Sequence, residues 1–287
     1  MNFIDTAFKI KSANPTGVLY YFDGKIGKDE NGTGTFSLET KQKVYQLETY
    51  RVSSTLPKEL SSDLGFLHGI DVNEMLTSTL ENEVKVNNQK LLLSKYYYLS
   101  EITRNNELRK SRWNRFLLRF ISESHFCFHF ENYNDMIKKI LFKSNLIGHK
   151  TRRGNADFIV CPPKYSTYIM ESPSFVYKET REISLKPGGI DFIGTIGDRI
   201  QVFVDRNSEY TENRILIGKK TKEQDCGVYF VQGDKSTDEI LDEIGNKTQS
   251  LRCRQAIISP EGAEISFNII RVSDSKRPFW KKLLFIK

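Results

Sequence analysis

The pattern of residues 71–98 predicts one uninterrupted helix, and this stretch constrains the fold more than any other. Asp71 is a favourable N-cap residue, and Glu74 stands three residues later, as in a capping box. Neither Gly nor Pro interrupts the run, so the helix would be roughly 40 Å long. A compact domain of ordinary size would have difficulty covering it. The apolar residues that recur at helical spacing are Val72, Met75, Leu76, Leu80, Val84, Leu91 and Leu92.

Composition bounds the class of protein. The chain has 287 residues, of which 38% are hydrophobic and 28% charged, as in folded rather than disordered proteins. No apolar run reaches the roughly 18–20 residues that span a bilayer, and no signal peptide is evident. The 4 cysteines have no paired spacing, which predicts free thiols in a reducing compartment. The net charge of +7 permits contact with nucleic acid without demonstrating it.

A polar, glycine-containing segment between two strand-like stretches predicts a β-hairpin. Residues 28–35 carry Gly32 and Gly34 among Asp and Asn residues, which is typical of a flexible hairpin tip. Residues 19–27 and 35–47 would be its arms. No Lys-Ser or Lys-Thr pair follows at the spacing of a phosphate-binding loop, so the sequence disfavours a nucleotide site here.

A strongly basic segment follows the predicted helix, with Trp113 and Phe116 between its basic residues. Arginine beside aromatic side chains suits phosphate binding and base stacking. The alternative is a solvated loop that pairs with acidic neighbours at a subunit interface, and we favour it. The candidates for contact with DNA or with a neighbouring subunit are Arg104, Arg109, Lys110, Arg112, Arg115 and Arg119, together with Arg152 and Arg153 further along the chain.

His125, Cys127 and His129 alternate with three phenylalanines in residues 125–130. In a strand, these three potential zinc ligands would share one face. Structural zinc usually has four ligands with loop-type spacing, and no partner motif is present. The sequence therefore favours a strand with a phenylalanine-lined core face. It predicts no metal and no cofactor.

The rest of the chain predicts a second amphipathic helix and several strands, in an α+β arrangement. Gly148 is expected to cap the second helix, residues 134–147. No nucleophile–base constellation, nucleophile elbow or dinucleotide fingerprint is present, so we expect no enzyme. The remaining expected elements are a buried strand at 158–161, a short helix at 164–172, strands at 198–204, 214–218, 227–231, 255–259 and 264–272, and a short acidic helix or loop at 237–244. The strands at 214–218 and 227–231 are expected to lie in one sheet.

Several segments, in collinear order, resemble the major capsid proteins of T-even-like contractile-tailed bacteriophages. Residues 14–20, Asn-Pro-Thr-Gly-Val-Leu-Tyr, are similar to the stretch that leads into the extended loop of that family. Residues 58–71 end in His68-Gly69-Ile70-Asp71 and resemble the family's entry to its long helix. Residues 151–160, 201–205, 215–220 and 225–230 follow further family motifs. The resemblance covers most of residues 14–270.

The resemblance implies the HK97-type capsid fold, which has a long spine helix, a peripheral domain, an axial domain and an extended loop (E-loop). The long helix then has a physical reason, because a flat subunit buries much of its surface only in the assembled shell. Asn87 and Asn88 would face solvent, a neighbour or the shell interior. The implied division is a short N-terminal arm (1–18), the E-loop (19–47), the peripheral domain with the spine helix at 71–98 (48–154), the axial domain (155–250), and the return strands of the peripheral domain with the C-terminal tail (251–287).

The function that the resemblance implies is that of a structural, non-enzymatic capsid subunit. It would assemble with itself into hexamers, pentamers or both, in an icosahedral head that encloses double-stranded DNA. Its other partners would be neighbouring capsid or decoration proteins and the packaged DNA, bound non-specifically, with no membrane. Assembly would occur in the bacterial cytoplasm, and the protein would reside in the virion.

Three alternatives stay open at this point. The chain could be a pentameric vertex paralogue, the shell protein of an encapsulin-like compartment, or a soluble nucleic-acid-binding module. Its E-loop lacks the large inserted domain of T-even members, and its N-terminal arm is short with no obvious removable leader. The resemblance therefore does not imply maturation cleavage for this chain.

Overall fold

Helix α1 runs from Val72 to Lys110 in the computed structural model. At its start, Asp71 Oδ1 accepts hydrogen bonds from the backbone N–H groups of Asn73 and Glu74, at 2.8 and 3.3 Å. The predicted long helix is confirmed, but its predicted end at residue 98 is wrong. The helix continues because no Gly or Pro occurs before Lys110.

The structure describes residues 2–28, 34–60, 63, 66, 71–110, 128, 130, 132–178, 189–208, 212–222, 227–243 and 246–272.

The described strands form two sheets and a separate hairpin. The first sheet has four strands in the order β1-β10-β11-β4, the second has six in the order β12-β9-β5-β8-β7-β6, and β2 pairs with β3. Pairs β1–β10 and β5–β8 are parallel and the others are antiparallel. The strands are β1 (Phe8–Lys11), β2 (Thr16–Lys28), β3 (Gly34–Gln46), β4 (Glu48–Leu56), β5 (Phe158–Cys161), β6 (Phe175–Tyr177), β7 (Ile190–Ile196), β8 (Ile200–Asp205), β9 (Arg214–Gly218), β10 (Tyr229–Leu241), β11 (Lys247–Ile258) and β12 (Phe267–Arg271). The other helices are α2 (Tyr133–Thr151), α3 (Pro163–Met170) and two 3-10 turns, Phe3–Thr6 and Ala263–Ser266.

Helix α1 is long because it packs on both sheets in turn. Its N-terminal half lies on the four-stranded sheet, where Leu80 and Val84 form one apolar cluster with Leu251 and Cys253 of β11. Its C-terminal half lies on the six-stranded sheet, where Leu92 and the neighbouring apolar residues join a larger core. Burying a leucine side chain fully stabilises the fold by about 1.5–3 kcal/mol. The contacts with the four-stranded and the six-stranded sheet therefore hold the helix across both sheets.

An aromatic cluster anchors the C-terminal half of α1. Tyr96 is fully buried, with its ring 4.7 Å from that of Phe267 and 5.9 Å from that of Phe3. Its hydroxyl lies 2.9 Å from the Thr6 hydroxyl. Burial raises the pKa of the Tyr96 hydroxyl although the hydrogen bond with Thr6 opposes the shift, so the group stays protonated. The first residues of the chain thus pack into the subunit's own core.

The polar residues in the middle of α1 are buried. Gln89 Oε1 accepts a hydrogen bond from Ile190 N at 3.0 Å, and Gln89 Nε2 donates to Ile190 O at 3.4 Å, so one amide pairs with the backbone at the start of β7. Asn88 is 8% exposed. The expectation that Asn88 faces away from a closed core is therefore wrong, and Asn87 is half-buried. Gln89 thus supplies the polar partners that this strand end needs, whereas Asn88 Oδ1 is buried without a hydrogen-bond partner among the described residues.

Two further expectations about strands are wrong. Residues 237–244 were expected as an acidic helix or loop, yet Thr237–Leu241 continue β10 and pair with Leu251–Lys247 of β11. Strands β9 and β10 lie in different sheets, because β9 pairs with β5 and β12 while β10 pairs with β1 and β11. Cross-strand pairing and not local charge decides both cases. The buried strand at 158–161 is confirmed.

Gly148 is not the C-cap of the second helix. The helix α2 continues to Thr151, and Arg152 takes the left-handed conformation (φ 53°) while its N–H donates to Gly148 O at 2.8 Å. Gly148 has a packing role instead, since a Cβ there would collide with the Asn155 side chain. The glycine lets the chain after α2 fold back closely on the helix.

Candidate assembly surfaces

The hairpin of β2 and β3 has one buried and one exposed face near its base. Leu19 packs with Leu47 and with Tyr229 of β10, and Lys43 Nζ donates to Ser259 O at 2.7 Å. These contacts fix the base of the hairpin to the four-stranded sheet. The predicted hairpin arms are thereby confirmed, and residues 29–33 of the expected tip lie outside the described residues.

The opposite face of the hairpin exposes three apolar side chains. Val18 and Val44 are directly opposite each other in the register, and Tyr20 is two residues further along the same face. Their exposed fractions are 43%, 72% and 66% for Val18, Val44 and Tyr20. Beyond its base, the hairpin pairs with no other strand of the described part of the chain. An isolated two-stranded arm with an apolar face is typical of a surface that another chain covers.

The structure places the predicted basic candidates differently. Arg104 is only 6% exposed and lies 3.6 Å from Glu101, so this side chain is unsuited to contact with DNA or a neighbour. Arg109, Arg152 and Arg153 are exposed. Lys110 is the last residue of α1. Arg112, Arg115 and Arg119 lie outside the described residues, as do His125, Cys127 and His129 of the zinc hypothesis.

A partly buried charge cluster joins the C-terminal parts of α1 and α2. The Glu107 carboxylate accepts hydrogen bonds from Lys143 Nζ at 2.6 Å, Lys150 Nζ at 2.5 Å and Asn268 Nδ2 at 3.1 Å. Burial alone would raise the pKa of Glu107, but the hydrogen bonds and charges of the two lysines outweigh it and hold the pKa below its ordinary value. Sequence reasoning missed Glu107, because its partners are distant in the chain.

Glu107→Gln is expected to destabilise the protein by about 2–4 kcal/mol at pH 7, because it leaves two lysines beside a neutral amide. The pKa of Glu107 is lower in the folded protein than its ordinary value of 4.5. The ionised carboxylate therefore stabilises the fold fully at pH values above 4.5, and this stabilisation is lost as the pH falls through the folded-state pKa. The difference in the free energy of unfolding between the variant and the wild type should therefore become smaller at acidic pH. Urea unfolding at neutral and acidic pH measures it, with Glu83→Gln at an exposed position of α1 as the matched control. A gap that does not change with pH would contradict the charge assignment.

A cleft of about 460 Å³ lies between α1 and the ends of β8 and β9. The Arg214 guanidinium stacks 3.9 Å above the centre of the Tyr97 ring. Burial raises the pKa of Asp205, against hydrogen bonds from Asn207 and Ser208. Asp205 and Arg214 each have polar neighbours, while Arg214 Nε is buried without a hydrogen-bond partner among the described residues. No nucleophile with an adjacent base lies among the lining residues. The cleft is lined by Lys90, Leu93, Ser94, Tyr97, Asp205, Asn207, Ser208, Glu212 and Arg214.

Other site types find little support in the described residues. Within them, no three His, Cys, Asp or Glu side chains are grouped as a metal would require. Cys161 is fully buried, which raises the pKa of its thiol to about 12 and keeps it protonated. None of the described helices is long and apolar enough to cross a bilayer.

Known proteins similar to this chain are capsid and shell proteins. The family model described as "Major capsid protein Gp23" matches residues 16–231. The major capsid protein of Vibrio phage KVP40 is 21% identical over 229 residues, which are 71% of this chain and 41% of that protein. The aligned region therefore spans less than half of that relative.

Solved structures show the same fold at low sequence identity. A virus-like particle from Pyrococcus furiosus superposes with a TM-score of 0.54 at 10% identity, over 94% of this chain and 92% of that chain. Microbacterium phage Oxtober96 gives a TM-score of 0.54 at 11% identity (95% and 91%), and the capsid of Ralstonia phage GP4 gives 0.52 at 11% (95% and 88%). The fold is the HK97-type capsid fold, as the resemblance predicted. By its fold and by the match over residues 16–231, this chain belongs to the Gp23 family of phage major capsid proteins.

Proposed function

We propose that this chain is a structural, non-catalytic capsid subunit that assembles with itself into hexamers, pentamers or both of an icosahedral phage head. The observation that carries the proposal is the family match over residues 16–231 on a chain with the HK97-type fold. The exposed apolar face of the hairpin, with Val18, Tyr20 and Val44, supports it, because such a face is buried when subunits pack together.

We further propose that the shell encloses double-stranded DNA, which it contacts non-specifically. The net charge of +7 and the exposed Arg109, Arg152 and Arg153 support contact with a polyanion. The proposed set also keeps Lys110, Arg112, Arg115 and Arg119. Arg104 is no longer part of it, because its side chain is buried. The protein would be assembled in the bacterial cytoplasm, reside in the virion, and contact neighbouring capsid or decoration proteins.

The proposed domain division follows the two sheets. The four-stranded sheet with the N-terminal half of α1 is the proposed peripheral domain, and the six-stranded sheet with α2 and α3 is the proposed axial domain. The hairpin of β2 and β3 is the proposed E-loop. The boundaries expected from the sequence cut across both sheets, because β10 pairs with β11 in one and β12 pairs with β9 in the other. One apolar cluster belongs to each sheet alone, which supports this division. A third and larger cluster, with Phe230 of β10 and Phe158 of β5, joins the two sheets.

Electron microscopy of the purified protein by negative stain, together with light scattering, tests the proposal. We expect capsomers or closed shells. A strict monomer that binds DNA with a steep dependence on salt would instead favour a nucleic-acid-binding module. Closed particles that enclose protein cargo and no DNA would favour the encapsulin-like alternative.

A further inference from the structure

One face of the four-stranded sheet is covered by α1, and part of the other face is open. On the covered side, Gln249 Nε2 donates to Thr77 Oγ1 at 2.9 Å, and Lys235 Nζ lies 3.7 Å from Glu81. Side chains alternate across a sheet, so the even-numbered neighbours on β11 point the other way. There, Arg252 is exposed and Arg254 half-buried, and the exposed Arg51 of β4 lies beside them.

The three arginines form a like-charge array. Arg51 and Arg252 are directly opposite each other in the antiparallel register, and Arg254 lies two residues further along β11. Their hydrogen-bond partners are hydroxyls: Arg51 Nη2 donates to Ser250 Oγ at 3.0 Å, and Arg252 Nε donates to Ser236 Oγ at 3.2 Å. None of the three forms an ion pair with a residue that the structure describes. Like charges in opposed positions destabilise a sheet, so this array favours an anionic ligand.

The strand β4 also presents an edge to which another strand could be added. It pairs with β11 without a break in register over its nine residues, and no other described strand lies along its outer side. Of the usual protections of an edge strand it lacks Pro, Lys and a bulge, and its charged residues are Glu48 and Arg51. Its unpaired backbone N–H and C=O groups can therefore bind an extended polypeptide.

We propose that an extended acidic segment of a partner protein adds to β4 as a fifth strand, with its carboxylates against Arg51, Arg252 and Arg254. A nucleic acid could neutralise the arginines but could not use the strand edge, whereas an acidic polypeptide uses both features. A second copy of this chain, with its net charge of +7, is disfavoured as the partner by charge. The proposal goes beyond shell assembly and does not rest on it.

The test uses a labelled nine-residue peptide of alternating Glu and Thr, titrated with unassembled subunits at about 50 mM salt, where surface charges are weakly screened. Fluorescence anisotropy is expected to show saturable binding. Arg51→Gln with Arg252→Gln should weaken it by about tenfold. Lys85→Gln with Lys90→Gln makes the same charge change at two exposed positions of α1 and should leave the affinity unchanged. A peptide N-methylated at alternate residues should also bind more weakly to the unchanged protein, because it cannot pair fully with the strand edge.

Three results with the peptide would overturn the proposal, as would one with DNA. They are the absence of saturable binding, equal weakening by the control variant, and equal binding of the N-methylated peptide. A labelled DNA duplex that binds more tightly than the peptide, and loses binding in the same arginine variant, would assign the surface to phosphate instead. Electron microscopy of the arginine variant separates this inference from the proposed function, since shells should still form when peptide binding is lost.

Discussion

Leu80→Asp is expected to leave no folded protein. Leu80 of α1 is 2% exposed and packs against the Leu251 and Cys253 side chains of β11. Losing the leucine from a packed site costs about 2–5 kcal/mol, and a buried carboxylate without a partner costs several more. The sum approaches the whole stability of a typical domain, about 5–15 kcal/mol. The variant should appear only in the insoluble fraction, or unfolded by circular dichroism.

The matched control for this variant is Leu91→Asp on the same helix. Leu91 is 42% exposed, so the same chemical change should cost less than about 1 kcal/mol in the unassembled subunit. Soluble yield and circular dichroism compare the two variants, and urea unfolding measures the stability of the Leu91→Asp subunit. Comparable stability of both would mean that α1 does not lie on the four-stranded sheet as described.

The pair also shows what the apolar spacing in α1 could and could not predict. The periodic pattern found the helix and most of its core residues, because a 3.6-residue repeat is a local property of the sequence. Leu91 belonged to the same predicted stripe and is nonetheless exposed. A helix that passes from one sheet to another changes its buried face along its length, and a single stripe cannot describe it.

The strands of the four-stranded sheet were harder to predict than the helix. The strand β4 has an alternating polar pattern without strong apolar signals, and the acidic end of β10 is typical of a helix or loop. Both are strands because β11 pairs with them on either side. The arginine array follows from that register, and no local pattern in the sequence indicates that Arg51 and Arg252 are opposite each other.

The basic segment shows the converse limit. The density of positive charge predicted that these side chains lie on the surface, and Arg109, Arg152 and Arg153 are exposed. Arg104 is buried all the same, because an arginine on a packed helix can lie beside a carboxylate such as Glu101. Composition identifies a basic region, whereas the position of each side chain depends on the helix face and on its neighbours.

Tyr20→Glu with Val44→Glu is expected to abolish shell formation and to leave the subunit folded. Both side chains lie on the exposed face of the hairpin, while Leu19 on the opposite face keeps the base attached to the sheet. Surface substitutions of this kind change stability by about 0.5 kcal/mol or less. In a subunit contact, each new carboxylate would have to leave water without a partner, which costs several kcal/mol.

The effect on assembly should be large because every subunit of a shell would repeat the same contact. A loss of about 3 kcal/mol at each contact lowers its association constant by more than a factor of about 100. Thermal unfolding checks that the subunit stays folded, and particle counts by electron microscopy check that shells no longer form. Tyr20→Thr with Val44→Thr removes the apolar surface without adding charge, so it should reduce the yield less severely. Normal particle yield from the glutamate variant would show that this face of the hairpin is not buried between subunits.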